Sequence, residues 1–179
     1  MPVHLVIDDG PWRGVSRLAV ARRARAMLAA LQMDDAELSI LLTGDPQIQN
    51  LNRVYRKMNR PTDVLAFAQR EGELGEHAGR LLGDVVVSIP TARRHAEEAG
   101  RDLGSELTML LAHGLLHLLG WDHDTPSKDR RMRRETERLC AAANAPEGAR
   151  RSPTPPVKGK TQRNGDGDSV ARKATRRAR

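Results

Sequence analysis

Three observations predict an α+β fold: a mixed β-sheet of about four strands packed by helices, with a central buried helix. Strand and helix patterns alternate along the first half of the chain. Two strand patterns are joined by one polar, glycine-containing loop. One later segment is helical in length yet apolar around nearly its full circumference. Taken in order, Val3 to Asp8 reads as a short strand, and Ser16 as a cap for a helix continuing to about Leu31. ELSILLT, from Glu37 to Thr43, is a second strand. Asp45 and Pro46 supply a cap and a first-turn proline for a helix over PQIQNLNRVYRKM. Asp63 to Ala68 and Asp84 to Ile89 are two more strands, and REGELGEHAGR between them reads as a hairpin loop, so this pair is expected to be antiparallel. Pro90 opens a short helix to about Ala99, which Gly100 stops. The segment from Ser105 to Gly120 follows, with Ser105 as its candidate cap. After Thr108 its polar groups are almost confined to two histidines, so it belongs at the centre of the fold. A last helix, rich in Arg and Glu, runs from about Ser127 to Ala142.

The chain has 179 residues and a net charge of +7. Up to Asn144 it carries 20 basic and 20 acidic residues, whereas the 35 residues after it carry 10 basic and 3 acidic. The imbalance therefore lies wholly beyond Asn144, and basic charge by itself does not make the body a nucleic-acid binder. Residues 1–144 suffice for one domain with a real core. Residues 145–179 are rich in Pro, Gly, Ser, Thr and basic residues, with too little apolar area to offset the entropy of ordering them. They are expected to form a disordered basic tail, either adding charge-driven affinity or serving only as a solvated terminus. The body's four aromatics, Trp12, Tyr55, Phe67 and Trp121, are too few and scattered for a base-stacking sheet. One cysteine, Cys140, excludes a disulfide framework or a cysteine-based zinc module and fits a reducing compartment. The first residues lack a secretory pattern, and no apolar run approaches the roughly 20 residues that span a bilayer. The expectation is a soluble, cytoplasmic protein with no membrane partner; the sequence does not define an oligomeric state.

Chemistry concentrates in HGLLHLLGWDHD. His113 and His117 are four apart on a helix, so their rings project from one face. Gly120 ends the helix where a left-handed residue is easiest, the chain doubles back, and His123 arrives six residues after His117. A single buried histidine is more often a hydrogen-bonded core residue than a ligand. Three in one aliphatic segment need a shared reason, because unpaired imidazoles in a core are destabilising. Three imidazoles with an open fourth position make a zinc site at which water can be activated near neutral pH. The spacing matches that of the metzincin peptidases, H-E-x-x-H-x-x-G-x-x-H, but Gly114 stands where those enzymes carry their general base. Peptide hydrolysis by that route lacks its proton acceptor. The remaining histidines, His4, His77 and His95, read as surface or structural residues.

LNRVYRKMNRPTDVLAF is the second cluster, with Arg53, Arg56, Lys57 and Arg60 around a helix end and Asp63 leading into a strand. A guanidinium such as that of Arg56 suits a phosphate oxygen and the charge that develops there. On composition alone, a solvated basic end complementing the helix dipole is the simpler reading. Asp63 either orients a ligand or caps the start of the strand. Asp122 is a candidate base, or a hydrogen-bond partner of a ligand imidazole.

These two segments, together with GDVVVSI at Gly83 to Ile89 and the ELTMLLAHG run, resemble the YbeY family of bacterial endoribonucleases, also called ribosomal RNA maturation factors. The resemblance extends over about residues 35 to 125. It implies a single-strand-specific endoribonuclease that binds one zinc ion, matures the 3′ end of 16S ribosomal RNA in the small subunit and takes part in ribosome quality control. By position it makes His113, His117 and His123 the zinc ligands, and Arg56 and His113 the residues important for activity. The family usually has Ser where Ala66 stands, so no hydroxyl role is carried there. Two other readings remain: a metal-dependent hydrolase of another bond, and a ribosome-assembly factor whose zinc only holds the fold.

Overall fold

The computed structural model describes residues 3–69 and 80–146. The loop expected over REGELGEHAGR and the basic tail lie outside the described residues, apart from their edges. Nine elements follow one another: β1 (Val3–Ile7), α1 (Arg17–Ala30), β2 (Glu37–Thr43), α2 (Asp45–Arg56), β3 (Val64–Ala68), β4 (Leu81–Ser88), α3 (Ile89–Glu98), α4 (Leu103–Leu118) and α5 (Pro126–Asn144). This is the α+β order expected from the hydrophobic pattern.

The sheet runs β1-β2-β4-β3. β1 and β4 both pair parallel to β2, and β3 pairs antiparallel to β4 with Leu65 opposite Val86 and Phe67 opposite Asp84. Side chains alternate across the strands, so each face has its own core. Leu38, Ile40, Leu42, Val85 and Val87 pack with α1, α4 and α5. Leu65 and Val86, on the other face, pack with Ile48 of α2.

The ends of the helices correct two expected caps. Ser16 does cap α1, accepting from the Ala19 N–H at 3.3 Å. α2 is instead preceded by Gly44, with Asp45 already inside its first turn. The Asp45 carboxylate is drawn away to α3, where it accepts from Thr91 Oγ1 at 2.7 Å and Arg94 at 3.0 Å, and from the Ser88 hydroxyl. Burial opposes its ionisation, but these donors outweigh burial and hold its pKa below the usual value. α4 begins earlier than expected, because Asp102 accepts from the Ser105 N–H at 2.9 Å and the Ser105 hydroxyl at 2.6 Å. Ser105 is therefore a partner of the cap and not the cap itself.

α4 is the central helix. Leu107, Leu110, Leu111, Leu115, Leu116 and Leu118 are all buried, each contributing about 1.5–3 kcal/mol. The helix lies so close to the sheet that a Cβ on Gly114 would sit 2.8 Å from Val85 Cγ1 and 3.2 Å from Val64 Cγ2. Both neighbours are β-branched and stiff. Gly114→Ala should therefore destabilise the fold by about 1–2 kcal/mol, the overpacking strain exceeding the gain in helix propensity. Urea denaturation measures this; a variant as stable as the wild type would mean that α4 is free to lift off the sheet.

Candidate metal centre

α4 ends in a turn that returns the chain toward its own side. Gly120 takes φ +76°, its N–H donates to the His117 carbonyl at 3.0 Å, and the Trp121 N–H donates to the Leu116 carbonyl at 3.0 Å. This pair of bonds is a Schellman cap. It places His123 beside the last two turns of the helix. One ring nitrogen from each of His113, His117 and His123 lies within 4.8 Å of the others. The Nε2 atoms of His113 and His117 are 3.1 Å apart, near the roughly 3.3 Å separation of two nitrogens that share a tetrahedral zinc-type ion. No carboxylate or cysteine joins the cluster among the described residues. The donor set thus fits a metal ion with coordination positions left for substrate or solvent.

His113 and His117 are half-buried, and His123 is exposed. Burial, followed by the neighbouring imidazoles, pushes the pKa of His113 below its ordinary value. Burial also leads for His117, followed by His123, with Arg56 acting in the same direction. The neutral, metal-binding form of both rings is therefore favoured. The Trp121 backbone hydrogen-bonds to His117 and partly offsets its depression; contacts of this kind fix the orientation of a ligand ring.

Arg56 stands in the last turn of α2, exposed, with no ion pair or hydrogen bond of its side chain among the described residues. Its charge reaches His117, which belongs to the other sequence cluster. Arg56 lines a cleft of about 480 Å³ with Asn52, Arg60, Asp63 and His95. Buried Asn52 shapes this wall by donating to the Arg60 carbonyl at 2.8 Å, while its own carbonyl accepts from Met58 N–H at 3.3 Å. Lys57 turns left-handed between them, at φ 61°.

The profile of the family described as Endoribonuclease YbeY matches residues 15–144. The chain belongs to the YbeY endoribonuclease family. The Endoribonuclease YbeY of Anaeromyxobacter sp. (strain Fw109-5) is 47% identical over 142 residues, covering 79% of this chain and 72% of that protein. Its namesake in Anaeromyxobacter dehalogenans (strain 2CP-C) is 51% identical over 120 residues, covering 67% of this chain and 61% of that protein. For the Myxococcus xanthus protein the figures are 44% over 137 residues, 76% and 46%. The chain thus spans less than two thirds of the length of two of these three YbeY relatives. The solution structure of TM1509 from Thermotoga maritima shares the fold, with a TM-score of 0.56 at 23% identity over 79% of this chain and 88% of that one.

Within this YbeY fold, three further acids and one histidine take places that the sequence left open. Asp63 caps the start of β3, its Oδ1 accepting from Val64 N–H at 2.8 Å and Thr62 Oγ1 at 3.1 Å. Its charge also reaches His113, but its side-chain hydrogen bonds and ion pair are those of the strand cap and His95, with none to a cluster imidazole among the described residues. Asp122 makes no hydrogen bond to a ligand imidazole; its carboxylate is held by Lys128 at 3.0 Å. That hydrogen bond leads the causes that lower its pKa, and a carboxylate so held is a poor base. Sequence reasoning missed the line behind the centre. His95 Nδ1 is 3.6 Å from Asp63 Oδ2 and 4.0 Å from Glu106 Oε1, and Glu106, 1% exposed, lies 2.9 Å from Arg101 Nε. Glu106 is seven residues before His113, on the same helical face, and that spacing was the available signal. His117→Ala should abolish stoichiometric metal binding while leaving the fold intact. Elemental analysis of the purified variant tests this; unchanged metal content would remove His117 from the ligand set.

Proposed function

We propose that this chain is a single-strand-specific, zinc-dependent endoribonuclease that acts in the cytoplasm on the 3′ end of 16S ribosomal RNA, in association with the small ribosomal subunit, and in ribosome quality control. One observation carries the reading: three imidazoles form an open cluster, and the charge of Arg56, whose guanidinium has no side-chain partner among the described residues, acts on one of them, His117. Membership of the YbeY family supports RNA as the substrate. No helix among the described residues is long and apolar enough to cross a membrane.

His113, His117 and His123 would hold the ion, and three nitrogen donors within 4.8 Å of one another suit zinc. When bound, zinc supplies Lewis acidity next to the scissile phosphate. Arg56 would bind that phosphate through its planar fork and stabilise the charge that grows on its oxygens. The peptidase alternative meets a steric obstacle as well as a chemical one. Residue 114 faces the sheet at contact distance, so a glutamate in that position would collide with Val85. A purely structural zinc would normally have a closed shell of four protein ligands, and the cluster has three among the described residues.

Cleavage of matched single-stranded and duplex RNA by metal-loaded and chelated protein tests the reading. Cutting should be confined to the single strand and should disappear on chelation; activity that survives complete metal removal would refute the zinc mechanism. Arg56→Ala should lower kcat/KM for RNA about a hundredfold or more, while fold and metal content stay unchanged. Full cleavage by that variant would leave Arg56 as a solvated helix end.

A further inference from the structure

The domain up to Asn144 has no net charge, so affinity for a polyanion must come from cations that no acid neutralises. α5 holds three of them. Lys128 is paired with Asp122 and Asp124, Arg133 with Asp129, and Arg138 with Glu135. Arg130, Arg131 and Arg134 have no acidic partner among the described residues. All three are exposed, and Arg134 follows Arg131 by three residues and Arg130 by four, so it neighbours both on the helix surface.

Arg131 is distinct among the three, because its guanidinium carbon lies over the Trp121 ring, 5.5 Å from the centroid. The two line a cleft of about 340 Å³ with Leu119, Gly120, Asp122 and Lys128. That volume lies at the lower end of the roughly 300–1,000 Å³ range that small ligands fill. Trp121 precedes His123 by two residues, and its backbone hydrogen-bonds to His117. The Arg56 cleft shares no lining residue with this one, yet the charge of Arg56 also acts on His117. The Trp121 cleft therefore lies on the turn that carries His123, next to the helix end that carries His117.

We propose that the Trp121–Arg131 cleft is a nucleotide subsite for the single-stranded RNA whose scissile phosphate lies at the three-histidine centre. This rests on the endoribonuclease reading and adds to it a place for a neighbouring nucleotide. Arg131 covers one face of the indole, so an unstacked base would stack on the outer face of the guanidinium with the indole behind it, and Arg134, one turn further, would meet the backbone phosphate. A base within a duplex is already stacked on both sides and cannot enter such a cleft. The subsite therefore supplies a physical reason for preferring single strands.

The test uses the full chain with Trp12→Phe, which leaves Trp121 as the only tryptophan reporter. The ligand is short single-stranded RNA, methylated at its 2′-hydroxyls so that a nucleophile on the RNA is blocked. Binding should change the emission of Trp121, and a duplex of the same sequence should not. Arg131→Gln should weaken single-strand binding about fivefold and flatten the dependence of log affinity on log salt by about 0.7, the loss of one phosphate contact. Arg56→Ala should weaken binding but leave the emission change at saturation. Emission unmoved at saturating RNA, or unchanged affinity and salt slope in Arg131→Gln, would overturn the subsite while leaving the endoribonuclease reading standing. Wild-type protein that neither binds nor cleaves single-stranded RNA would overturn both. An acidic peptide that shifts Trp121 emission where RNA does not would overturn the subsite and reassign this surface to a protein partner.

Discussion

The site depends on how closely α4 approaches the sheet. At Gly114 the helix backbone lies against Val85 and Val64 with no room for a side chain. Because one face of the helix is pressed to the strands, His113 and His117 are turned to its half-exposed rim. A side chain at 114 would lift the helix or rotate it, and either movement would carry both imidazoles with it. The surrounding buried leucines make such a movement costly, since cores are close-packed and transmit strain. The glycine therefore matters in two ways: it sets the depth of the helix, and it removes the base that the metzincin spacing would otherwise suggest.

Two chain reversals complete the arrangement. The Schellman turn at Gly120 folds His123 back to the histidines of the helix. The left-handed Lys57 and the Asn52 bond to Arg60 shape the opposite wall at the end of α2. Each reversal brings residues that are apart along the chain to one place. Behind them, Asp63, His95, Glu106 and Arg101 tie the start of β3, α3 and α4 together beneath the centre.

Much of the fold was legible because its periodicities are strong. β2 begins and ends where ELSILLT predicts, and the antiparallel pairing of β3 with β4 follows from their separation by one polar loop. The errors lie at helix ends and arise from competition between side chains. Asp45 and Ser105 are both suitable caps by type. Asp45 is claimed by Ser88, Thr91 and Arg94 from another element, and Ser105 donates to an aspartate three residues earlier. Local propensity does not decide such contests, because one competitor is set by tertiary contact. For His95 the sequence reading, surface or structural, resolves to structural, and its acidic neighbours come from the entry to β3 and from α4.

The sequence by itself determined the three histidines, their convergence from one helix and its following turn, and the neutrality of the domain that carries them. Helical geometry and a glycine stop act over a few residues, so their result can be read directly from spacing. Only the tertiary structure decided that Gly114 faces the sheet, that His95 meets Asp63 and Glu106, and that Arg131 lies over Trp121. Each of these joins elements separated along the chain, and the approach is set by sheet order and helix packing, which no local pattern encodes.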